Sequence, residues 1–183
     1  MEQTFDYKAA IATYRPKIFM KALVLSTNII LKNKVFNCDF DESWVDWAID
    51  MIEAGFNSES LYTLAATSKP YNQQALQALT NKVLQDFNLS YHNKSLVIKK
   101  YVYFIVTNAI YKTNSYFKAL RELKDICISM QYDELYMAFY LLYFAKTDLA
   151  ECDKQWYWDG ADKTNIDQII TAQFADWISR YEK

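Results

Sequence analysis

Few side chains in this sequence have the types and spacing that catalysis requires. His92 is the only histidine, and position 89, three residues earlier, is a leucine, so the sequence has neither a multi-histidine zinc site nor the Glu-x-x-His pairs of di-iron bundles. Phosphate-binding glycine loops, the GxSxG elbow and the EF-hand loop are missing as well. We therefore predict a non-enzymatic protein that uses no metal and no other cofactor. A hydrolase that uses a carboxylate or a cysteine is the least favoured alternative.

The first positive signal is a row of carboxylates in the segment 42–54. Glu42, Asp46 and Asp50 are spaced four residues apart, and the fourth member of the row is Glu53. In a helix these four share one face, because residues three and four apart are neighbours. Another face carries apolar residues, namely Trp44, Trp47, Ala48 and Met51.

Two interpretations of this acidic row stay open. It is either a face that is solvated or neutralised by lysines from residues 69–124, or a binding surface for a protein partner with a basic surface. Our first hypothesis for the function is the second interpretation, an interaction module that uses Glu42, Asp46, Asp50 and Glu53.

The second positive signal is the stretch QWYWDG at residues 155–160. If the stretch is extended, Trp156 and Trp158 point to the same side. Burying roughly 200 Å² of each indole would stabilise the fold by on the order of 10 kcal/mol for the pair. That is comparable with the whole stability of a domain. We therefore predict that the stretch is chiefly a latch, with both indoles buried, which folds the connection 147–163 over the helical core.

The alternative for this stretch is a ligand site. Carboxylates next to an aromatic face suit a cation, and Asp153 and Asp159 flank the two tryptophans. In this alternative the protein binds a small molecule or a cationic ligand through Trp156, Trp158, Asp153 and Asp159.

The segment 94–124 places basic residues among aromatic ones, a pattern that can bind single-stranded nucleic acid. However, the aromatic residues fall on apolar helix faces, the chain has only three arginines, and its isoelectric point is about 5.5. Nucleic-acid binders usually carry a strongly basic surface. We predict that the protein does not bind nucleic acid.

The composition predicts an all-α fold. The 183 residues are 52% hydrophobic and include only two glycines and two prolines, whereas hairpins and phosphate loops depend on glycine. We predict one domain over residues 1–183, an irregular bundle of about eight helices. The segments 101–111 and 133–146 are apolar nearly all round, which is typical of helices buried at the centre.

The helix boundaries follow from capping residues and breakers. Asp41, Ser58, Asn72 and Asp133 are expected to cap helices, and Gly55 is expected to end one. A cap at Thr164 or Asn165 is expected to begin the last helix. The helical segments are predicted at 7–15 and 16–32, which form one kinked helix or two abutting ones, and at 41–54, 58–67, 73–87, 95–112, 115–130, 133–146 and from about residue 165 onward.

Charge is segregated along the chain. Residues 1–34 carry six basic and two acidic groups, 35–68 carry seven acidic groups only, 69–124 carry nine basic and two acidic, and 125–183 carry five basic and eleven acidic. These blocks either neutralise one another or give a dipolar surface that steers a basic partner. Self-association is equally compatible with them, and the sequence leaves the oligomeric state open.

The location is predicted from the cysteines and the apolar runs. Three cysteines without a CxxC pair indicate reduced thiols. The first ten residues have no secretory pattern, and the longest apolar runs are about half of what a bilayer requires. We predict a cytoplasmic protein without membrane contact.

A set of spaced residues resembles a family. The pattern WxxWAxxMxxxGxxSxSLxxLA over residues 44–65, with Asn72, the WYW stretch at 156–158 and Asn165-Ile166, resembles a widespread family of small uncharacterised bacterial proteins. Such proteins are similar in style to the immunity proteins of bacterial toxin systems. The resemblance implies a helical, bacterial, cytoplasmic protein, and it favours toxin neutralisation without implying any catalytic residue.

Overall fold

The computed structural model describes residues 24–111 and 116–181. Within these ranges the chain forms eight helices and no strand, which confirms the all-α prediction. The helices are α1 (Thr27–Val35), α2 (Glu42–Glu53), α3 (Glu59–Ala65), α4 (Gln73–Asp86), α5 (Lys94–Tyr111), α6 (Tyr116–Ser129), α7 (Glu134–Glu151) and α8 (Ile166–Tyr181).

Most predicted boundaries agree with the structure within two residues, but two helices differ from the prediction. Helix α7 continues to Glu151, five residues beyond its predicted end at 146, so the irregular connection predicted at 147–163 begins only after Glu151. Residues 24–26 lie inside the helix predicted at 16–32 but are not helical, and α1 begins at Thr27 and continues to Val35. The helix predicted at 7–15 lies outside the described residues, as does the predicted break at 113–114.

Side-chain caps begin four of the helices, as the sequence predicts. Asp41, Ser58, Asn72 and Asp133 each accept a hydrogen bond from a backbone N–H two or three residues later, at 2.9–3.1 Å. Such a cap satisfies an amide that has no partner inside the helix. Gly55 follows α2 with a φ of +82°, a left-handed conformation that glycine adopts without steric cost.

The buried side chains form two hydrophobic clusters. The N-terminal cluster lies among α1–α4 and contains Trp44 and Trp47, both fully buried. The C-terminal cluster lies among α5–α8 and contains Phe139 and Phe174, also fully buried. Helix α1 packs directly on α5, and Val97 of α5 belongs to the N-terminal cluster. The two clusters therefore meet along the contact between α1 and α5.

Helices α5 and α7 are enclosed over most of their length, as predicted from their apolar composition. No residue between 101 and 110 of α5 is exposed, and none between 136 and 149 of α7. Helix α5 contacts α1, α6 and α8, while α7 contacts α6 and α8. Because neighbours cover several sides of each helix, an apolar stripe on one side alone would leave polar groups buried.

The described helices include none that is both long enough and apolar enough to cross a lipid bilayer. All three cysteines are free thiols, as expected. Cys127 is buried in the C-terminal cluster, and this burial raises the pKa of its thiol.

Candidate functional site

The four carboxylates predicted on one face of α2 are all exposed, and we refer to Glu42, Asp46, Asp50 and Glu53 as the acidic face. The opposite side of the helix is fully buried in the N-terminal cluster through the four predicted residues, Trp44, Trp47, Ala48 and Met51. The helix is therefore sharply divided between core and solvent, and the buried side fixes the direction in which the carboxylates point.

Most of the acidic face has no basic partner in the described part of the chain. Glu42 is the exception, because the ammonium of Lys69 lies 3.1 Å from its carboxylate oxygen. Asp50 accepts a hydrogen bond of 2.9 Å from the hydroxyl of Ser26, which is neutral. Asp46 and Glu53 have no hydrogen bond or ion pair there. Among the described lysines of 69–124, only Lys69 forms an ion pair with one of these four carboxylates.

An isoleucine lies within the acidic face. Ile49 follows Asp46 by three residues and precedes Glu53 by four, so it shares their side of α2. Its side chain is 41% exposed. The face therefore combines an apolar residue with surrounding charges, and the carboxylate row alone did not indicate this.

Two of these carboxylates lie where they destabilise the helix. Asp50 and Glu53 are in the last turn of α2, which contains no basic residue. The carbonyl end of a helix carries partial negative charge, so acidic groups there are unfavourable. Asp46 and Asp50 also repel each other at a spacing of four residues. The stability of α2 by itself therefore does not explain these charges.

The prediction that both indoles of QWYWDG are buried is wrong. Trp156 is 87% exposed and Tyr157 is 40% exposed. Only Trp158 is half-buried, packed against the C-terminal cluster. The prediction failed because it assumed an extended segment, in which alternate residues share a side. The stretch forms consecutive bends and a turn instead, and we refer to residues 155–160 as the Trp156 turn.

The side chain of Gln155 bends this segment. Its Oε1 accepts hydrogen bonds from the backbone N–H groups of Tyr157 and Trp158, at 2.7 and 2.8 Å. Its Nε2 donates to the carbonyls of Trp158 and Ala161, at 2.6 and 3.0 Å. One amide therefore satisfies four backbone groups and replaces the strand-like conformation with a closed loop.

A reciprocal pair of hydrogen bonds closes the other side of the turn. Asp162 Oδ1 accepts from the N–H groups of Thr164 and Asn165, and Asn165 Oδ1 accepts from the N–H of Asp162. This is a capping box, in which two side chains three residues apart satisfy each other's amides. Helix α8 begins at Ile166, directly after Asn165, which is one of the two predicted cap positions, and the D-x-x-N spacing is the signal for the reciprocal bonds with Asp162.

A packed tyrosine and two carboxylates lie near Trp156 in the sequence. The ring of Tyr157 packs on Phe144 with centroids 5.4 Å apart. Asp153 forms an ion pair of 2.7 Å with Lys163, and Asp159 is exposed. In the described part of the chain, no cation and no second ring contacts Trp156.

The carboxylate of Asp162 makes the Trp156 turn sensitive to acid. Hydrogen bonds from Thr164 hold the pKa of Asp162 below its usual value. Its contribution to the turn is therefore complete above about pH 4, the ordinary aspartate range, and is lost as the pH falls through the lowered pKa. We expect the amide NMR signals of Thr164 and Asn165 to move upfield as acid protonates the carboxylate of Asp162, which its side-chain carboxyl ¹³C signal reports. Unchanged signals would contradict this role, and Asp162→Asn is the control without a titrating group.

Two surface cavities lack the carboxylate or thiol that the hydrolase alternative requires. One, of about 320 Å³, lies between α1, α5 and α8 and is lined in part by Leu25, Phe104 and Tyr181. The other, of about 450 Å³, includes His92, which stacks on Tyr91 with centroids 4.9 Å apart. Neither is lined by a carboxylate or a thiol.

Several basic residues of the segment 94–124 contact aromatic rings of the same chain. Lys94 lies 5.3 Å from the ring centre of Phe36, and Lys124 lies 5.0 Å from that of Tyr143. Arg121 lies 5.6 Å from the ring of Phe117. These three cations stabilise the fold through cation–π contacts.

The chain matches no protein-family model, no curated protein and no solved structure. The family that its tryptophan and serine pattern resembles therefore stays a prediction, and the surfaces described above carry the functional argument.

Proposed function

We propose that this protein is a non-enzymatic interaction module whose acidic face on α2 binds a basic surface of a protein partner. One observation carries the proposal. Asp46, Asp50 and Glu53 lack basic partners in the described part of the chain, and two of them occupy the helix end where negative charge is unfavourable. Charges that cost stability in the free protein are common at functional surfaces.

The composition of the face supports the same proposal. Interfaces usually have an apolar centre that is shielded from water and a polar rim that sets specificity. Ile49 supplies an exposed apolar side chain, and the carboxylates supply the rim. A complementary partner would present lysines or arginines around an apolar residue, and its charges would accelerate association.

The resemblance to small bacterial proteins favours a cellular location and a type of partner. We place the protein in the bacterial cytoplasm and propose an immunity-type role, in which a toxin with a basic active surface is the partner. Inhibition of such a toxin requires only that the acidic face cover the surface, so the proposal assigns no catalytic residue and no cofactor.

A titration with an amphipathic lysine–leucine peptide tests the acidic face. The full chain is compared with the variant Asp46→Asn/Asp50→Asn/Glu53→Gln, which we call the neutralised variant. We expect its affinity for the peptide to fall about tenfold, or 1.4 kcal/mol.

The control is Asp39→Asn/Asp125→Asn/Glu134→Gln, which also removes three negative charges but from exposed positions outside α2. Equal losses of affinity in the two variants would show that peptide binding depends on net charge alone. That result would contradict the proposed surface.

A further inference from the structure

We infer that the Trp156 turn is a second docking site, independent of the acidic face, and that it receives an arginine side chain of a protein partner. One exposed ring, the hydrogen-bonded turn that presents it and the charges around it point to this site.

Trp156 differs from the other tryptophans of the chain. Trp44 and Trp47 are 0% exposed, and Trp177 is 5% exposed. Trp158 is half-buried against the C-terminal cluster. At 87% exposure, the ring of Trp156 contributes almost no burial to the fold. Tryptophan is among the residues most enriched at the energetic centres of interfaces.

In the described part of the chain, no cation lies over this ring. Lys32, Lys34, Lys69, Lys94, Arg121 and Lys124 all lie over aromatic rings at 5.0–6.0 Å. Trp156 has the largest exposed fraction among the exposed large hydrophobic residues, yet none of these cations lies over it. Its face is available to an external cation.

The turn presents this ring at low entropic cost. Gln155 makes four hydrogen bonds to the backbone, and the Asp162–Asn165 box fixes the residues that follow. Tyr157, the neighbour of Trp156, packs on Phe144. A binding loop that is already ordered loses little conformational freedom when its partner arrives.

Charge identifies the partner group. Residues 151–162 contain four acidic groups and one lysine, Lys154. Lys163 already neutralises Asp153, whereas Asp159 has no ion pair in the described part of the chain. A guanidinium can stack flat on the indole and bond a carboxylate at the same time, which an ammonium cannot do equally well. The expected group is therefore arginine.

The exposure of the ring favours a protein over a small ligand. Small-molecule sites are concave and cover most of the ligand's surface. A ring with 87% of its surface in solvent is not enclosed by such a site. An arginine held on a protein surface can instead approach the open face of the ring.

An NMR titration tests this site. The full chain, labelled with ¹⁵N, is titrated with a glycine–arginine repeat peptide, and the glycine–lysine peptide is the comparison. The Trp156 indole signal is assigned with Trp156→Phe. We expect this signal to shift saturably with the arginine peptide and less with lysine. Trp156→Ala should weaken binding at this site about fivefold or more, and Asp159→Asn should also weaken it.

Controls separate this site from the acidic face. The neutralised variant of α2 should still show the Trp156 shift, so failure of the acidic face would not remove this result. A Trp156 signal that does not move while the arginine peptide binds elsewhere would overturn the inference. Equal affinity of Trp156→Ala and the unaltered chain would overturn it as well.

Discussion

Replacement of Trp47 by alanine is expected to lower the free energy of unfolding by about 3–5 kcal/mol. The indole is fully buried in the N-terminal cluster. Its Nε1 donates a hydrogen bond of 2.9 Å to the hydroxyl of Thr27 in α1, so the change leaves both a cavity and a buried hydroxyl with one partner fewer. Chemical denaturation followed by circular dichroism measures the loss.

The matched control is the same substitution at Trp156. Because that ring is almost entirely in solvent, Trp156→Ala should change the free energy of unfolding by no more than about 0.5 kcal/mol. A loss of several kcal/mol at Trp156 would contradict its exposed position and would restore the latch interpretation of QWYWDG.

Replacement of Phe139 by alanine is the second large effect. Phe139 is fully buried in the C-terminal cluster and contacts Phe174 and Trp177, with ring centroids at 5.7 and 6.1 Å. We expect a loss of about 3–5 kcal/mol. Since α1 packs on α5 and joins the two clusters, Trp47→Ala and Phe139→Ala should each shift one common unfolding transition.

Calorimetry distinguishes the outcomes for these two variants. Two separated transitions, with Phe139→Ala moving only one of them, would show that the clusters unfold independently. That result would contradict the single domain predicted for residues 1–183.

The fold could be predicted from the sequence because its signals are local. The caps at Asp41, Ser58, Asn72 and Asp133 depend on residues two or three positions apart. The division of α2 into a buried and an acidic side depends only on helical periodicity. Such features require no knowledge of which helices pack together.

The Trp156 turn could not be predicted in the same way. The hydrophobic area of an indole indicates how much burial could stabilise the fold, but not whether the backbone directs the ring inward. Gln155 decides that direction by bonding four backbone groups, and glutamine is not a usual turn residue. These hydrogen bonds compete with the extended conformation. The predicted burial is therefore wrong for Trp156 and holds in part for Trp158.

The acidic face could be predicted from the sequence only in part. Its four positions and their exposure follow from spacing, whereas the pairing of Glu42 with Lys69 and the exposure of Ile49 depend on tertiary packing. The sequence could not show which carboxylates the rest of the chain would neutralise.

The most direct test of the proposed role is the stability of the neutralised variant, Asp46→Asn/Asp50→Asn/Glu53→Gln, measured beside its affinity for the lysine–leucine peptide. We expect the free energy of unfolding to rise by about 0.5–1 kcal/mol, because like-charge repulsion and unfavourable charges at the helix end are removed. The affinity should fall in the same variant. Asp41→Ala is the opposite control, because it removes the cap of α2 and should cost about 1 kcal/mol. A neutralised variant that is less stable and binds the peptide unchanged would show that the acidic face serves the fold, and it would contradict the account.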